Sequence, residues 1–295
     1  MQFGFCLPTF STLGTRDAIV RALELAEQDG WDSVWVTDHI LMESDTRTPY
    51  ANLFEAMTTL AFAAGMTRRV KLGTSIIVLP QRNAIVTAKQ FAALDALSNG
   101  RVIVGAGAGW NEKEFGFLGA DFHRRGKMLE EQIAVMRALW SQDQPAFDGR
   151  FYKFADTVFA PKPAQKSIPI WVGGNSEPAA QRAARIADGW HVTGTAPEKM
   201  RALIEKIRPQ LNGRAFTFSA RVETDPTGKL PVDFKGPDGS TRKRLSIAPD
   251  DAARDIAAYR DAGIEHLVIV FMGDSVDKMA DHARLLARKV LPRFR

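Results

Sequence analysis

The stretch IPIWVGGNSEPAAQRAARIADGW, residues 168–190, contains one strand, one loop, one helix and the start of a second strand. Its apolar opening, residues 168–172, predicts a strand that ends at Gly173 and Gly174. Residues 177–187 follow with the apolar spacing of a helix. Because strands that alternate with helices are typical of parallel sheets, this stretch predicts one repeating unit of an α/β fold.

The same alternation extends from this stretch to both ends of the chain. The predicted strands are residues 2–7, 33–37, 71–75, 101–105, 168–172, 189–192, 215–222 and 265–270. The predicted helices are residues 16–28, 53–66, 85–97, 125–140, 177–187, 198–211, 250–262 and 276–290. Eight such pairs predict a (β/α)8 TIM barrel with short insertions, formed as a single domain by residues 1–295. An open, doubly wound sheet of roughly six or seven strands is the alternative.

Two connections are longer than ordinary loops. Residues 143–167 resemble a β-hairpin that turns at Asp148 and Gly149. Residues 223–247 are rich in Gly, Pro and Lys and have no clear period, which predicts an irregular loop. Neither connection is long enough to form a domain of its own.

The composition favours a globular enzyme of the cytoplasm. Hydrophobic residues make up 45% of the chain, enough for a substantial core. The longest apolar runs, such as residues 75–80 and 266–272, are far shorter than the roughly 20 residues that cross a bilayer, so no membrane association is expected. The opening MQFGFCLPTF lacks the basic start and cleavage site of a signal peptide and predicts a strand instead.

Charge, cysteine and histidine patterns argue against several other classes. The net charge of +5 comes from basic residues scattered among 34 acidic ones, so no nucleic-acid partner is expected. Cys6 is the only cysteine, which excludes a disulfide framework within the chain. The five histidines show neither H-x-H nor H-E-x-x-H spacing, so no metal site is expected.

In a TIM barrel the chemistry lies where strands hand over to helices, at the carboxyl-terminal face. The second strand ends at Asp38 and His39, an adjacent acid and imidazole that can bind a ligand and move protons. Alternatively, Asp38 and His39 only form hydrogen bonds that stabilise their own loop. Residues 173–176 offer two glycines, hydrogen-bonding side chains and a helix N-terminus, which together suit a phosphate group. A tight turn capped by Ser176 explains the same residues.

The fourth strand ends in VGAGAGWNEKEF, residues 104–115. Its alternate glycines permit close approach of a ligand to the backbone. Trp110, Asn111 and Glu114 then offer stacking, hydrogen bonding and polarisation of a ligand. A dinucleotide-binding fingerprint does not fit, because the third glycine is missing from its position and the motif opens the fourth unit.

Five stretches together resemble one known family. They are FGFCLPTF (3–10), DGWDSVWVTDHI (29–40), VKLGTSIIVLPQRNAIVTAKQFAALDALSNGRVIVGAGAGWNEKEF (70–115), RRGKMLEEQIAVMRALW (124–140) and IPIWVGGNSEPAAQRAARIADGWH (168–191). In this order they resemble the bacterial luciferase-like flavin/deazaflavin oxidoreductases, closest to the probable F420-dependent class. The resemblance spans nearly the whole chain, and several ordered motifs make it specific.

The resemblance implies a luciferase-like TIM barrel with the deazaflavin F420, or alternatively FMN, at its carboxyl-terminal face. It assigns the cofactor phosphate to Gly173, Gly174, Asn175 and Ser176, and the ring contacts to Asp38, His39, Ser75, Ile76 and Asn111. It further implies a cis peptide bond between Ser75 and Ile76. A homodimer is also implied, since members of this superfamily are often dimers.

The chain departs from the family pattern in two places. Ala108 stands where the sugar-phosphate dehydrogenases of the superfamily carry a catalytic glutamate, so oxidation of sugar phosphates is not expected. The long lid of the alkanesulfonate and long-chain alkane monooxygenases is absent, because residues 223–247 form only a modest connection.

The expected activity is hydride transfer between the cofactor and a small organic substrate. His39 is the expected proton donor or acceptor, with Asp38 beside it, and Phe10, Trp110 and Trp190 are expected to wall the substrate pocket. An FMNH2-dependent monooxygenase, supplied with reduced cofactor by a separate reductase, is one alternative. A non-catalytic flavin-binding barrel is another, and a cofactor-independent isomerase that binds a phosphate ligand is a third.

Overall fold

The computed structural model describes residues 1–44, 49–236 and 239–295 of the chain. Its strands are β1 (Gln2–Cys6), β2 (Ser33–Val36), β3 (Lys71–Thr74), β4 (Ile77–Val78), β5 (Val102–Gly107), β6 (Phe147–Asp148), β7 (Lys153–Phe154), β8 (Ile170–Gly173), β9 (Gly189–Thr193), β10 (Thr217–Thr224), β11 (Asp233–Lys235), β12 (Thr241–Lys243) and β13 (His266–Phe271). Its α-helices are α1 (Arg16–Gln28), α2 (Ala56–Met66), α3 (Ala84–Leu97), α4 (Glu112–Phe117), α5 (Arg125–Ser141), α6 (Glu177–Ile186), α7 (Pro197–Ile207), α8 (Pro249–Asp261) and α9 (Val276–Leu285).

Eight parallel strands form a closed barrel. They pair in the order β3, β2, β1, β13, β10, β9, β8 and β5, and β5 pairs back with β3 to close the ring. The short strand β4 continues from β3 along β5. The predicted (β/α)8 TIM barrel is therefore confirmed, and the open doubly wound sheet is excluded because the sheet has no free edge.

Helix ends follow local capping. The first helix has the predicted bounds, because the Thr15 side chain accepts a hydrogen bond from Ala18 N at its start. The second helix begins at Ala56, three residues later than predicted, because Glu55 caps it by accepting from Thr58 N. The last predicted helix ends early as α-helix and continues as a π-helical turn over Leu286–Val290.

Two apolar layers hold the barrel together. The larger layer lies between the strands and the surrounding helices. The smaller layer fills the barrel interior and is made of Cys6, Phe10, Trp35, Ile103, Trp171, Val268 and Val270. Inside it, the ring of Trp35 stacks on Trp171 and lies almost parallel to His191 at 5.4 Å between centroids. A Cβ on Gly73 would lie 2.3 Å from Trp35, so a glycine there makes room for the indole.

The predictions for the two longer connections, residues 143–167 and residues 223–247, differ in how well they agree with the structure. The predicted hairpin in residues 143–167 is confirmed, since β6 and β7 pair antiparallel, but the predicted turn at Asp148 and Gly149 is wrong. Asp148 pairs with Lys153 and Gly149 N donates to the Tyr152 carbonyl, so the turn lies at residues 149–152. The prediction that residues 223–247 form an irregular loop is wrong in part, because β11 and β12 pair there as a second hairpin. Leu245 then bridges back to Thr224 at the end of β10. The strands were too short for their alternation to be recognised in the sequence.

Within the described residues, no helix combines the length and apolar character that a membrane crossing requires. The same residues bring no group of three or more His, Cys, Asp or Glu side chains into an arrangement suited to a metal ion.

Candidate functional site at the carboxyl-terminal rim

The loops after β2, β3, β5 and β8 open onto one face of the barrel, because all four strands run parallel in one ring. Asp38, after β2, accepts a hydrogen bond from Val78 N in β4 at 2.9 Å. The Ile76 side chain, after β3, lies 3.0 Å from the position that a Cβ on Gly173 would occupy. The strand ends named by the sequence are therefore neighbours at a single rim.

Asp38 and His39 do not pair with each other, although the sequence suggested an acid–imidazole pair. The Asp38 side chain is buried and forms an ion pair with Arg82, with 2.6 Å between Oδ1 and Nη2. Its second oxygen accepts from Val78 N. The partner of His39 is instead Glu114. Asp38 thus pairs with Arg82, and Glu114 pairs with His39.

His39 is held by Glu114 from α4. Its Nδ1 lies 2.8 Å from Glu114 Oε2, and Glu114 Oε1 accepts from Ile40 N at 2.6 Å. Burial alone would raise the pKa of Glu114, but the hydrogen bonds from His39 and Ile40 N outweigh it and lower the pKa. An ionised Glu114 can only accept, so we assign the proton to Nδ1 of His39. The other ring nitrogen, Nε2, is then the atom available for proton exchange.

The peptide bond between Ser75 and Ile76 is cis, as the resemblance implied. Ser75 Oγ lies 2.8 Å from Nε2 of the buried His191, and the Ser75 carbonyl accepts from Arg221 Nη1 at 3.0 Å. Burial lowers the pKa of His191 to about 3, so this imidazole is neutral at pH 7. Ser75 is therefore fixed through both its side chain and its carbonyl.

The alternate glycines of β5 make room for protein atoms. A Cβ on Gly105 would lie 1.9 Å from the Thr74 carbonyl oxygen, and one on Gly107 would lie 1.8 Å from Ile76 Cδ1. The sequence suggested that these glycines admit a ligand. In the structure they admit the end of the third barrel strand instead.

The Gly173–Ser176 loop is tied to its surroundings by its own side chains. Ser176 caps α6 by accepting from Ala179 N at 3.3 Å. Asn175 donates to the Thr193 carbonyl at 2.8 Å and accepts from Thr193 N at 3.0 Å. The capped turn is therefore present.

Within the first turn of α6, Pro178 has no N–H, and Ala179 N and Ala180 N already donate to Ser176. The donors that remain for a phosphate are the backbone N–H groups of Ser176 and Glu177, at the end of the helix where the dipole favours an anion.

Asn111 begins α4 and is engaged within the protein. Its Oδ1 accepts from Lys113 N and Glu114 N, and its Nδ2 donates to Glu43 at 2.8 Å. Its contact with a cofactor ring stays a prediction. What the structure adds is that this cap fixes the start of the helix that carries Glu114.

Of the three aromatic residues expected at the substrate pocket, Trp110 lies at the rim, and Phe10 is buried at the top of the layer that fills the barrel interior. Trp110 is half-exposed and meets His39 edge-on at 5.6 Å. Phe10 packs against Tyr50 at 5.1 Å. The expectation that Trp190 walls the substrate pocket is wrong, because Trp190 is fully buried in the layer between the barrel and the helices. Successive residues of a strand point to opposite faces, and its neighbour His191 points into the barrel. The Nε1 of Trp190 donates to the Gly174 carbonyl, so Trp190 supports the loop from behind.

Arg82 and Arg221 are rim residues that sequence reasoning missed. Arg82 follows β4 and reaches Asp38, 44 positions earlier in the chain. Arg221 lies inside the barrel at the rim end of β10. A signal for Arg221 was present, because Ser219, Arg221 and Glu223 alternate with apolar residues and so share the inward face of a buried strand.

Known proteins share both the sequence pattern and the fold. The family model described as luciferase-like monooxygenase matches residues 1–224. An uncharacterised protein of Mycobacterium tuberculosis is 36% identical over 207 residues, which cover 65% of this chain and 72% of that protein. A protein of Amycolatopsis mediterranei named F420-dependent glucose-6-phosphate dehydrogenase is 28% identical over 96% of this chain and 95% of its own length. The monooxygenase RslO1 from Streptomyces bottropensis has the same fold, with a TM-score of 0.83, 21% identity and full coverage of both chains.

Proposed function

Because this chain belongs to the luciferase-like monooxygenase family, we propose that it is a redox enzyme that binds F420 at the carboxyl-terminal rim and exchanges hydride with a small organic substrate. The observation that carries this proposal is the contiguity of the rim. Asp38 contacts Val78, Ile76 contacts Gly173, and His39 lies against Glu114 on the same face. One elongated planar cofactor with a phosphate can span these groups.

The described residues fit such a cofactor by their chemistry. The N-terminus of α6 offers backbone donors for a phosphate, and the Ile76 side chain offers an apolar surface for a ring. When bound, F420 or a flavin would supply the hydride chemistry, which no amino-acid side chain provides. The side chains and backbone groups of the protein would bind and orient the cofactor and the substrate.

In this proposal His39 moves the proton and its neighbours position it. Nε2 of His39 is the donor or acceptor, because Nδ1 is engaged by Glu114 at 2.8 Å. Trp110 and Tyr50 flank the imidazole and limit the access of water. Asp38, with both oxygens engaged by Arg82 and Val78, serves cofactor binding and orientation.

The choice of F420 is supported by relatives in Amycolatopsis mediterranei and Intrasporangium calvum, both named F420-dependent dehydrogenases. Their stated substrate, glucose-6-phosphate, does not carry over, because Ala108 stands where the resemblance places the catalytic glutamate. An FMNH2-dependent monooxygenase is the second candidate, favoured by the description of the matching family. That candidate requires a separate reductase to supply the reduced cofactor. For either candidate, we also propose that the protein is a homodimer.

A binding titration with F420 and with FMN, followed by turnover assays with and without oxygen, tests the proposal. We expect stoichiometric F420 binding and oxygen-independent turnover. Tight FMN binding without F420 binding would reverse the cofactor, and binding of one cofactor without any substrate-dependent redox change would indicate a non-catalytic barrel. A flat visible spectrum with both would favour the isomerase.

The His39→Ala variant tests the assigned proton-transfer role. We expect a loss of turnover of about 100-fold or more and a change in the pH profile, since a positioned acid–base group contributes roughly 10²–10⁴-fold. Unchanged turnover with an unchanged pH profile would show that His39 is not the proton-transfer group.

A further inference from the structure

Arg221 places a guanidinium at the top of the barrel interior. It lies on β10 with its side chain directed inward, and only 5% of the residue is exposed. Its Nη1 reaches across to donate to the carbonyl of Ser75, which follows β3. The strands β10 and β3 are four positions apart in a ring of eight, so this side chain crosses the full width of the barrel. It therefore forms part of the floor of the rim.

The groups in contact with this guanidinium are neutral. They are the Ser75 carbonyl, the Tyr50 hydroxyl and the Phe10 ring, whose centroid is 5.8 Å from Arg221 Cζ. The Glu223 carboxylate acts on it electrostatically, but over the described ranges 1–44, 49–236 and 239–295 no carboxylate comes within ion-pair distance of Arg221. The nearest acid on its own strand, Glu223, is paired with Arg244 at 2.9 Å.

Near β10, Arg244 is paired with Glu223, and the buried Asp225 is held by the backbone N–H groups of Thr227 and Leu230. Arg221 is therefore left without an ion-pair partner in the part of the chain that the structure describes. On the opposite side of the rim, by contrast, Arg82 is paired with Asp38 and also contacts Glu55. A buried cation without a paired anion is costly, and the cost is offset when an anion binds against it. The fork of N–H groups on a guanidinium matches a carboxylate or similar oxyanion.

We propose that the β10 side of the rim is an anion-binding subsite and that the substrate of the enzyme is a small organic anion whose carboxylate, or an equivalent oxyanion, is held by Arg221. This inference rests on the proposed redox function and names the substrate class for it. Phe10 and Tyr50, which lie over the guanidinium, suit the carbon skeleton of such a molecule.

The position of the subsite favours the substrate over the cofactor as the source of the negative charge. The groups proposed for the cofactor include Asp38, Ile76, Asn111 and the Gly173–Ser176 loop, which lie at the ends of the adjacent strands β2, β3, β5 and β8. Arg221 and Phe10 come from β10 and from the end of β1, which occupy the other half of the ring. Among the described residues, Arg221 is joined to the cofactor half by its hydrogen bond to the Ser75 carbonyl.

Matched carboxylate and amide probes test the subsite. The protein, loaded with whichever of F420 or FMN it binds, is titrated with acetate against acetamide and with benzoate against benzamide, and the visible spectrum of the cofactor reports binding. We expect each carboxylate to bind about 10- to 100-fold more tightly than its amide, the range expected for hydrogen bonds to a charged group. In Arg221→Gln the preference disappears, while the cofactor Kd changes little.

The controls keep the outcomes separate. Arg124→Gln removes an exposed arginine at the start of α5 and should retain the full carboxylate preference. Should Arg221→Gln fail to fold, Arg221→Lys retains the charge without the fork and should keep only part of the preference. Equal binding of carboxylates and amides, absence of carboxylate binding, or a preference that survives in Arg221→Gln would overturn the subsite.

Two further results distinguish the sources of failure. A tenfold or greater loss of cofactor affinity in Arg221→Gln, with the carboxylate preference intact, would assign the charge to the cofactor and overturn the substrate assignment. If the wild-type protein binds neither cofactor, the proposed function fails. NMR line broadening of the same four probes by the unloaded protein then decides the anion subsite on its own.

Discussion

At the scale of single residues, the rim depends on contacts between side chains far apart in the sequence. His39 meets Glu114 across 75 positions, and both side chains are buried. One Glu114 oxygen holds the imidazole and the other holds the backbone of Ile40, so a single carboxylate fixes both the ring and the loop that carries it. The orientation of His39 is thus set by α4.

Replacement of Glu114 by glutamine tests this dependence. We expect turnover to fall by about 10- to 100-fold, because a neutral amide can also donate to Nδ1 and so permits the wrong tautomer of His39. Imidazole ¹⁵N chemical shifts would report the tautomer directly. Glu112→Gln, an equal change of charge at an exposed position of the same helix, is the control. The role of Glu114 is refuted if both variants keep the wild-type tautomer and rate.

The close approach at Gly105 gives a second prediction at this scale. Gly105→Ala would place a methyl group 1.9 Å from the Thr74 carbonyl oxygen, a backbone atom that cannot rotate away. We expect the free energy of unfolding to fall by about 1–3 kcal/mol, measured by urea denaturation. Gly116→Ala meets no atom within 4 Å and lies inside α4, so it should stabilise the protein by roughly 0.5–1 kcal/mol. Equal effects of the two substitutions would contradict the steric account.

At the scale of elements, two serine-capped helices follow barrel strands and allow capping to be separated from anion binding. Ser176 caps α6 and Ser275 caps α9, each accepting a backbone hydrogen bond at 3.3 Å. Only the loop before α6 carries the residues proposed for the phosphate. The two helices therefore form a matched pair.

Substitution of each serine by alanine should separate the two roles. We expect Ser176→Ala and Ser275→Ala to cost about 1 kcal/mol of stability each, the usual loss for a helix cap. Only Ser176→Ala should raise the cofactor Kd, which equilibrium titration would measure. A similar rise in Kd for Ser275→Ala would remove the argument for a phosphate site at α6.

The sequence predicted elements well where local signals decide them. The eight barrel strands were found because apolar runs alternate with helical periods, and the first helix was bounded correctly because Thr15 and the stop near Gly30 are local. The hairpin of β11 and β12 escaped because its strands are three residues each.

Side-chain partners in the site were harder to predict than the loops that carry them. The cis bond at Ser75 followed from the resemblance, but the partners of Asp38 and His39 depend on barrel closure and are not encoded locally. Trp190 was misjudged because the register of β9, with His191 inward, is set by packing against the neighbouring strands.

At the scale of the whole molecule, buried histidines couple stability to pH. Burial lowers the pKa of His191 and of His266 to about 3, and that of His282 to about 4, from an ordinary value of 6.5. Below pH 6.5 the unfolded chain therefore binds protons that the folded protein does not bind. Stability is complete above this pH and falls as the pH decreases, by about 1.4 kcal/mol per pH unit for each histidine.

The slope of stability between pH 6.5 and 5 should therefore be shallower in a variant that lacks one of these groups. We expect His282→Gln to reduce the slope by about one histidine's share, as measured by urea denaturation at several pH values. His123→Gln, which makes the same substitution at a largely exposed side chain, is the control for the substitution itself. Identical slopes for His282→Gln and the wild type would contradict the linkage.

The packed layer of Trp35, Trp171 and His191 has a further consequence for traffic. These side chains fill the barrel interior below the rim, so the site is a pocket that opens at the carboxyl-terminal face and does not continue through the barrel. Whatever is consumed and whatever is released must pass through the same entrance. Product that has not yet dissociated blocks the entry of the next substrate molecule. We therefore expect the product to inhibit the reaction competitively with respect to the substrate.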